Sequence, residues 1–370
     1  MSDQKVPLRT RLSADDAGGG IVAPAGLQAG DLAVISPDVA GEPLSTYAMR
    51  HGLRPSADRP KITAYLDELW RRRHFILAFA TARNIAMYTE AKLGQIWQVL
   101  TPLLNAGVYF LIFGLLLHIN RGIPHYLAFL VCGVFVFNFT QRAFITTSSV
   151  VTESLPLIRA LQFPRAALPL AYVIVELEQM ALAVAVLVVI VLASGEPITW
   201  YWLLVIPALL LQTIFNIGIG LFAARLGSQV NDFSQLLPFL MRTWLYLSGV
   251  LFSIQNLDLV KGSSVPPWAV PVLASNPAAV YISLVRNSIM ASQRLSAPGS
   301  QPYNAARCGL WQSAVKNGTA VPAKLEYDSA YCHAQITFSH FWYYGIGWAV
   351  LALVVGFFFF WRAETRYGRG

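Results

Sequence analysis

Two ionisable residues, Arg142 and Glu176, lie within long apolar runs, where each needs a partner or water to offset the cost of its charge. Helical rise counted from the nearest basic loop puts both roughly two turns deep, so they fall at similar depth. This predicts a structural ion pair between Arg142 and Glu176, with Arg225 or Arg242 as other partners open to Glu176; a proton relay is the functional alternative. A second set is aromatic: Tyr109, Phe110 and Phe113 in one apolar run, with Trp244, Tyr246 and Phe252 in another. Aromatic faces offer broad apolar contact without fixing the position of polar groups, which suits a cargo that is held weakly and repeatedly. These six are candidates for a substrate channel, although aromatics in membrane helices more often face lipid or core.

Other chemistry finds little support. A phosphate-binding loop needs Lys followed by Ser or Thr after a Gly-rich turn. The six lysines here precede Val, Ile, Leu, Gly, Asn and Leu. Neither an HExxH zinc motif nor a GxSxG nucleophile elbow occurs. A membrane glycosyltransferase or acyltransferase would need a clustered acid or base, and Glu153, Glu176 and Asp232 are scattered. The hydropathy pattern has no inverted repeat of the kind secondary transporters carry. No catalytic residue, metal site or cofactor is expected in this chain, and nucleotide hydrolysis, if it powers the protein, is expected on another chain.

The elements that must position these residues are membrane helices. Of 370 residues, 55% are apolar and only 12% charged, a balance that fits the bilayer better than water. Apolar runs of about 20 residues, enough to span hydrocarbon, recur at 95–118, 126–148, 166–193, 201–226, 236–255 and 338–361. The sequence therefore predicts an all-α integral membrane protein with six spans. Residues 1–60 carry no apolar core, so no signal peptide is expected, and their Pro, Gly and Ala content predicts a largely disordered cytoplasmic segment. Lys and Arg cluster before the first span, between spans two and three (Arg159, Arg165), at Arg225 and in the tail 362–370, whereas loops 120–125 and 194–200 carry one Arg and one Glu between them. Both termini are thus expected on the cytoplasmic side of the plasma membrane, with the net charge of +8 directed at anionic lipid rather than nucleic acid.

Two cytoplasmic elements stand out. In KITAYLDELWRRRH, residues 61–74, Ile62, Tyr65, Leu66 and Leu69 share a helix face while Asp67, Glu68, Arg71 and Arg72 fall elsewhere. This predicts an amphipathic interface helix within the region 61–94, which either anchors in lipid or presents Asp67, Arg71 and Arg72 to a soluble subunit. Between spans two and three, Pro156, Pro164 and Pro169 bound a short helix over 153–161. It is either a plain turn or a rigid element that transmits a push through Glu153, Leu157 and Arg159.

The external insert 256–337 is too long for an ordinary connection. Its first part contains two apolar pieces separated by Asn276-Pro277, each too short to cross, which predicts two short re-entrant helices with the break near a cavity or pathway. The remainder holds Cys308 and Cys332, and outside the membrane a disulfide between them would constrain the unfolded chain by about 3 kcal/mol. Two unpaired thiols are the other reading; with only His333 and His340 nearby, a metal site is poorly supported. Cys132 reads as a small buried apolar residue, and Asn317-Gly318-Thr319 as a weak glycosylation match.

Over about Asp67 to Trp361 the chain resembles the permease subunits of ABC-2 type exporters, in particular the polysaccharide exporters of the O-antigen, capsule and teichoic acid type called Wzm. The resemblance rests on Tyr88, Leu93-Gly94, Trp97, Pro102-Leu103 and Phe113-Gly114, then Leu157-Ile158-Arg159, Phe163-Pro164-Arg165 and Leu168-Pro169, then Pro267-Trp268, Asn276-Pro277 and Arg286. It implies a homodimer of six-span subunits carrying two cytoplasmic Wzt-like ATPase subunits. The interface helix and the 153–161 helix would dock the ATPase, and spans one and five would line a channel for a lipid-linked polysaccharide. Two departures, Asn231-Asp232 where the family often has Arg-Asp and a Leu247–Ser253 segment without Pro, look most like the branch exporting the lipid-linked galactan of mycobacterial-type cell walls.

Overall fold

A computed structural model of the chain describes residues 61–89, 93–117, 123, 125–160, 163–252, 254, 269–293, 313, 316–318 and 338–364. The expected N-terminal segment 1–60 and the Cys308–Cys332 disulfide lie outside the described residues. Among those described, regular structure is entirely helical. In chain order the helices are α1 (Ile62–Arg71), α2 (Arg73–Tyr88), α3 (Trp97–Leu116), α4 (Tyr126–Glu153), α5 (Leu155–Ala160), α6 (Ala167–Ala193) and α7 (Val205–Gln229). They continue with α8 (Asn231–Leu247), α9 (Ala269–Ser275), α10 (Pro277–Ile289) and α11 (Phe338–Trp361).

Among the described residues, five helical stretches are long and apolar enough to cross a membrane: α3, α4, α6, α7 with its leading turn from Trp200, and α11. The protein is a multi-pass membrane protein. The run expected over 236–255 falls instead on α8, a 17-residue helix that starts at Asn231. At 1.5 Å per residue it extends about 25 Å, at the short end of what a membrane span requires. Ser248-Gly249 ends it, Gly249 adopting a φ of +69° that other residues rarely take.

The helix α4 is the axis of the bundle, buried along most of its length and packed on α6, α7, α8 and α10. Where helices cross most closely, glycine permits it. A side chain on Gly356 of α11 would overlap the backbone of Gly218 on α7, and one on Gly227 the carbonyl of Ser148 on α4. Lipid tails are as apolar as Leu, so close packing of small residues holds such helices together.

The short helices α9 and α10 meet at Asn276-Pro277, where a cap explains the break. The Asn276 side chain accepts from the Ala278 amide at 3.1 Å and Pro277 occupies the first helical position. The Asn276 side-chain Oδ1 also accepts from Trp244 Nε1 at 2.8 Å and its Nδ2 donates to the Leu247 carbonyl, so the junction ties to the end of α8. From Ala278 to Ile289, α10 is almost wholly buried in protein.

Candidate functional site

Span α3 changes character where the candidate aromatics begin. It is α-helical over Trp97–Tyr109 and a π-helix over Phe110–Leu116, with the Leu117 amide donating to the Ile112 carbonyl at 2.9 Å. Such wide turns are rare and are frequently found at functional sites. The six aromatics divide. Phe110 packs on Tyr126 and Phe113 on Tyr109. Trp244 meets Phe137 edge to face and bonds Asn276, while Phe252 lies partly buried on the core. Tyr109 and Tyr246 alone of the six line the larger cavity.

That cavity, about 410 Å³, lies between α3, α4 and α8 and is lined by Asn105, Tyr109, Val134, Asn138, Gln141, Arg242, Leu245 and Tyr246. Its wall is predominantly polar although all three helices are apolar overall. Hydrophobic patterning alone does not place two Asn, a Gln and an Arg on one wall at this depth.

On the other side of Asn138 is a water-sized cavity of about 20 Å³, lined by Gln98, Arg142, Glu176 and Gln179 among others. Arg142 and Glu176 therefore meet in one place, but not as the direct ion pair expected. The Arg142 guanidinium donates to Gln179 Oε1 at 2.8 Å, the neutral amide one turn beyond Glu176. Of the other proposed partners, Arg225 donates to the Phe359 carbonyl and stacks on the Phe359 ring at 3.8 Å, and Arg242 lines the larger cavity.

Glu178, which sequence reasoning passed over, anchors the basic approach to α3. It accepts from Thr81 Oγ1 at 3.0 Å and Asn84 Nδ2 at 2.8 Å on α2, and Gln98 Nε2 donates to Asn84 Oδ1 at 3.2 Å. These bonds link α2, α3 and α6. Only its i, i+2 relation to Glu176 hinted at a different face.

At the same end, the two expected docking elements converge. Asp67 and Arg71 pair at 3.0 Å across one turn of α1, both more than half exposed, so the pair adds little stability and leaves both groups on the surface. Arg72, Glu153 and Arg159 are exposed and Leu157 half-buried. Behind them is a buried junction. Tyr65 of α1 donates to Glu364 Oε2 at 3.0 Å and accepts from the Ala166 amide at 3.1 Å. The Arg165 amide donates to Glu364 Oε1 at 3.1 Å and its guanidinium to the Glu364 carbonyl. Burial raises the Glu364 carboxyl above the ordinary glutamate range, opposed by Arg165 and Tyr65. One junction thus joins α1, the turn following α5 and the end of α11. No local pattern announces it, since Tyr65 and Glu364 are 299 residues apart.

A bundle of membrane-length helices with short amphipathic helices at one end and a polar cavity between its helices has the form of a membrane transporter domain. Comparison with known families gives the particular one: residues 75–290 match the ABC-2 type transporter family, and the chain belongs to it. It is similar to the O-antigen export system permease protein RfbA of Myxococcus xanthus, 24% identical over 191 residues that cover 52% of this chain and 73% of the relative. It is also similar to a protein of the same name from Klebsiella pneumoniae, 26% identical over 180 residues covering 48% and 69% of the two chains.

Proposed function

We propose that this chain is the permease subunit of an ATP-driven exporter that moves a lipid-linked polysaccharide across the cytoplasmic membrane. The observation that carries this reading is the polar, tyrosine-bearing cavity on α3, α4 and α8 in a chain of the ABC-2 family. Tyr109 and Tyr246 offer aromatic faces to sugar rings while the amides satisfy hydroxyl groups. The relatives named as O-antigen export permeases support a glycan cargo.

The remaining parts follow from that role. Two copies form the transport path, so that the exposed sides of α3 and α8 face each other. ATP and Mg bind on cytoplasmic ATPase subunits, which dock on Asp67, Arg71 and Arg72 of α1 and on Glu153, Leu157 and Arg159 around α5. The Tyr65–Glu364–Arg165 junction makes those two elements move as one. Both termini face the cytoplasm, and the cargo is the galactan precursor of a mycobacterial-type cell wall.

Copurification tests this arrangement. Tagged full-length chain is expected to bring down a nucleotide-binding subunit, with ATPase activity in the complex and none in the chain alone. ATPase activity intrinsic to the isolated chain would refute it.

A further inference from the structure

Arg242 occupies an unusual position. It lies eleven residues into α8, about 16 Å along the helix from Asn231, beside the apolar spans α3 and α4. Its guanidinium makes no hydrogen bond or ion pair with any other described residue. The same holds for the side-chain polar groups of Asn105, Tyr109, Asn138 and Gln141 around the cavity. Arg242 and Asn105 are exposed on the single chain beside the apolar spans α3 and α4, and a cation in such surroundings ordinarily marks a path for a substrate or ion. Here a cation and three amides all reach the same 410 Å³ space, a volume within the range of small-molecule sites.

The donor set defines the ligand. Guanidinium is a planar fork that matches phosphate oxygens in bidentate fashion. Asn and Gln amides both donate and accept, as sugar hydroxyls require, and tyrosine adds a ring face and a hydroxyl. A purely neutral glycan would leave Arg242 unmatched, and a bare phosphate would leave the amides idle.

We propose that this cavity is a binding subsite for a sugar phosphate moiety: Arg242 holds the phosphoryl group, and Asn105, Asn138, Gln141 and Tyr109 hold the adjoining sugar. The inference rests on the export reading and deepens it. The subsite reads the junction between glycan and lipid carrier, where phosphate and first sugar meet, and the rest of the sugar chain needs only the weaker aromatic contacts. The phosphoryl group of an ordinary phospholipid has the same chemistry for Arg242 but offers no sugar to the amides.

The test uses full-length chain in phosphatidylcholine nanodiscs and three probes: a short-chain prenyl diphosphate hexosamine, the matching prenyl hexosaminide without phosphate, and phosphatidylglycerol doped into the disc. Wild type is expected to bind the first most tightly, with affinity falling as salt rises. Arg242→Gln should weaken that binding at least about tenfold, the factor expected for one charge-assisted bond, and leave the phosphate-free probe unchanged. Arg242→Lys should fall between, and Asn138→Ala should weaken both sugar probes.

Unchanged affinity in Arg242→Gln overturns the proposal. Full competition by phosphatidylglycerol also overturns it, assigning the site to bulk lipid, as does a variant that loses self-association while binding normally. Should Arg242→Gln fail to assemble, salt-independent binding by wild type refutes the charge contact. Failure of the export reading is separate. Glycan that does not accumulate in depleted cells, with Arg242-dependent binding intact, removes the transport role and leaves the subsite.

Discussion

Replacing Gly133 with Ala should destabilise the protein through Arg286, a residue on a different helix. Arg286 is buried on α10 without a carboxylate among its hydrogen-bond partners. Its Nε donates to the Phe129 carbonyl at 3.1 Å, Nη1 to the Gly249 carbonyl at 2.7 Å and Nη2 to the Val250 carbonyl at 2.8 Å. Its Cζ lies 3.4 Å from the Phe129 ring centroid. Gly249 and Val250 follow the C-terminus of α8, where carbonyls left without helical partners favour a cation. The guanidinium thus fastens α8 and α10 to α4. A methyl group on Gly133 would overlap Nη2, stand 3.1 Å from Cζ and meet the Val250 Cα at 3.3 Å, so the guanidinium has to shift off its three carbonyl partners or the helices have to part. Hydrogen bonds between membrane helices are worth about 0.6–1.7 kcal/mol each, so losing all three costs about 2–5 kcal/mol. The assay is unfolding by a denaturing detergent, followed through a double-mutant cycle with Arg286→Met. Gly133→Ala should cost the full amount in wild type and much less once Arg286 is gone. Equal cost in both backgrounds would refute the coupling.

Two further outcomes are expected. Gly356→Ala sets a methyl group against the backbone of Gly218, which no side-chain rotation relieves, and should cost about 1–3 kcal/mol or more, whereas Gly347→Ala on the same helix meets nothing within 4 Å and should be neutral; equal thermal midpoints for the two would contradict the close crossing. Because the folded protein raises the Glu364 carboxyl, its contribution to stability is present at pH below the ordinary glutamate value of 4.5 and is lost as pH rises through the raised value. Wild type should therefore lose thermal stability relative to Glu364→Gln as pH increases from 4.5 towards neutrality, and pH-independent spacing between the two midpoints would show that Glu364 is not held in this way.

Apolar runs were readable because burial in hydrocarbon depends on composition alone, with no need to know the partner. At 236–255 the bounds shift, since the apolar residues continue past Leu247 while the helix stops at Ser248-Gly249. Hydropathy is blind to a backbone turn inside an apolar run. Depth arithmetic brought Arg142 and Glu176 to one cavity but could not choose between Glu176 and Gln179, one turn apart and both facing it. The aromatic lining divided because pairing along α3 and α8 says nothing of which face meets α4; Trp244 turned to Asn276 and Tyr246 to the cavity. Glu178 and the Tyr65–Glu364–Arg165 junction depend on contacts between distant segments, which one sequence does not encode as a pattern.

The central claim is that this chain passes a lipid-linked glycan out of the cytoplasm. It is tested most directly by depleting the protein in its native cell and measuring lipid-linked glycans on the cytoplasmic side of the membrane. Export through this permease predicts that one such glycan, a galactan on its lipid carrier, accumulates inside as the protein disappears and clears when it is restored. If no lipid-linked glycan accumulates at any stage of depletion, the claim is contradicted.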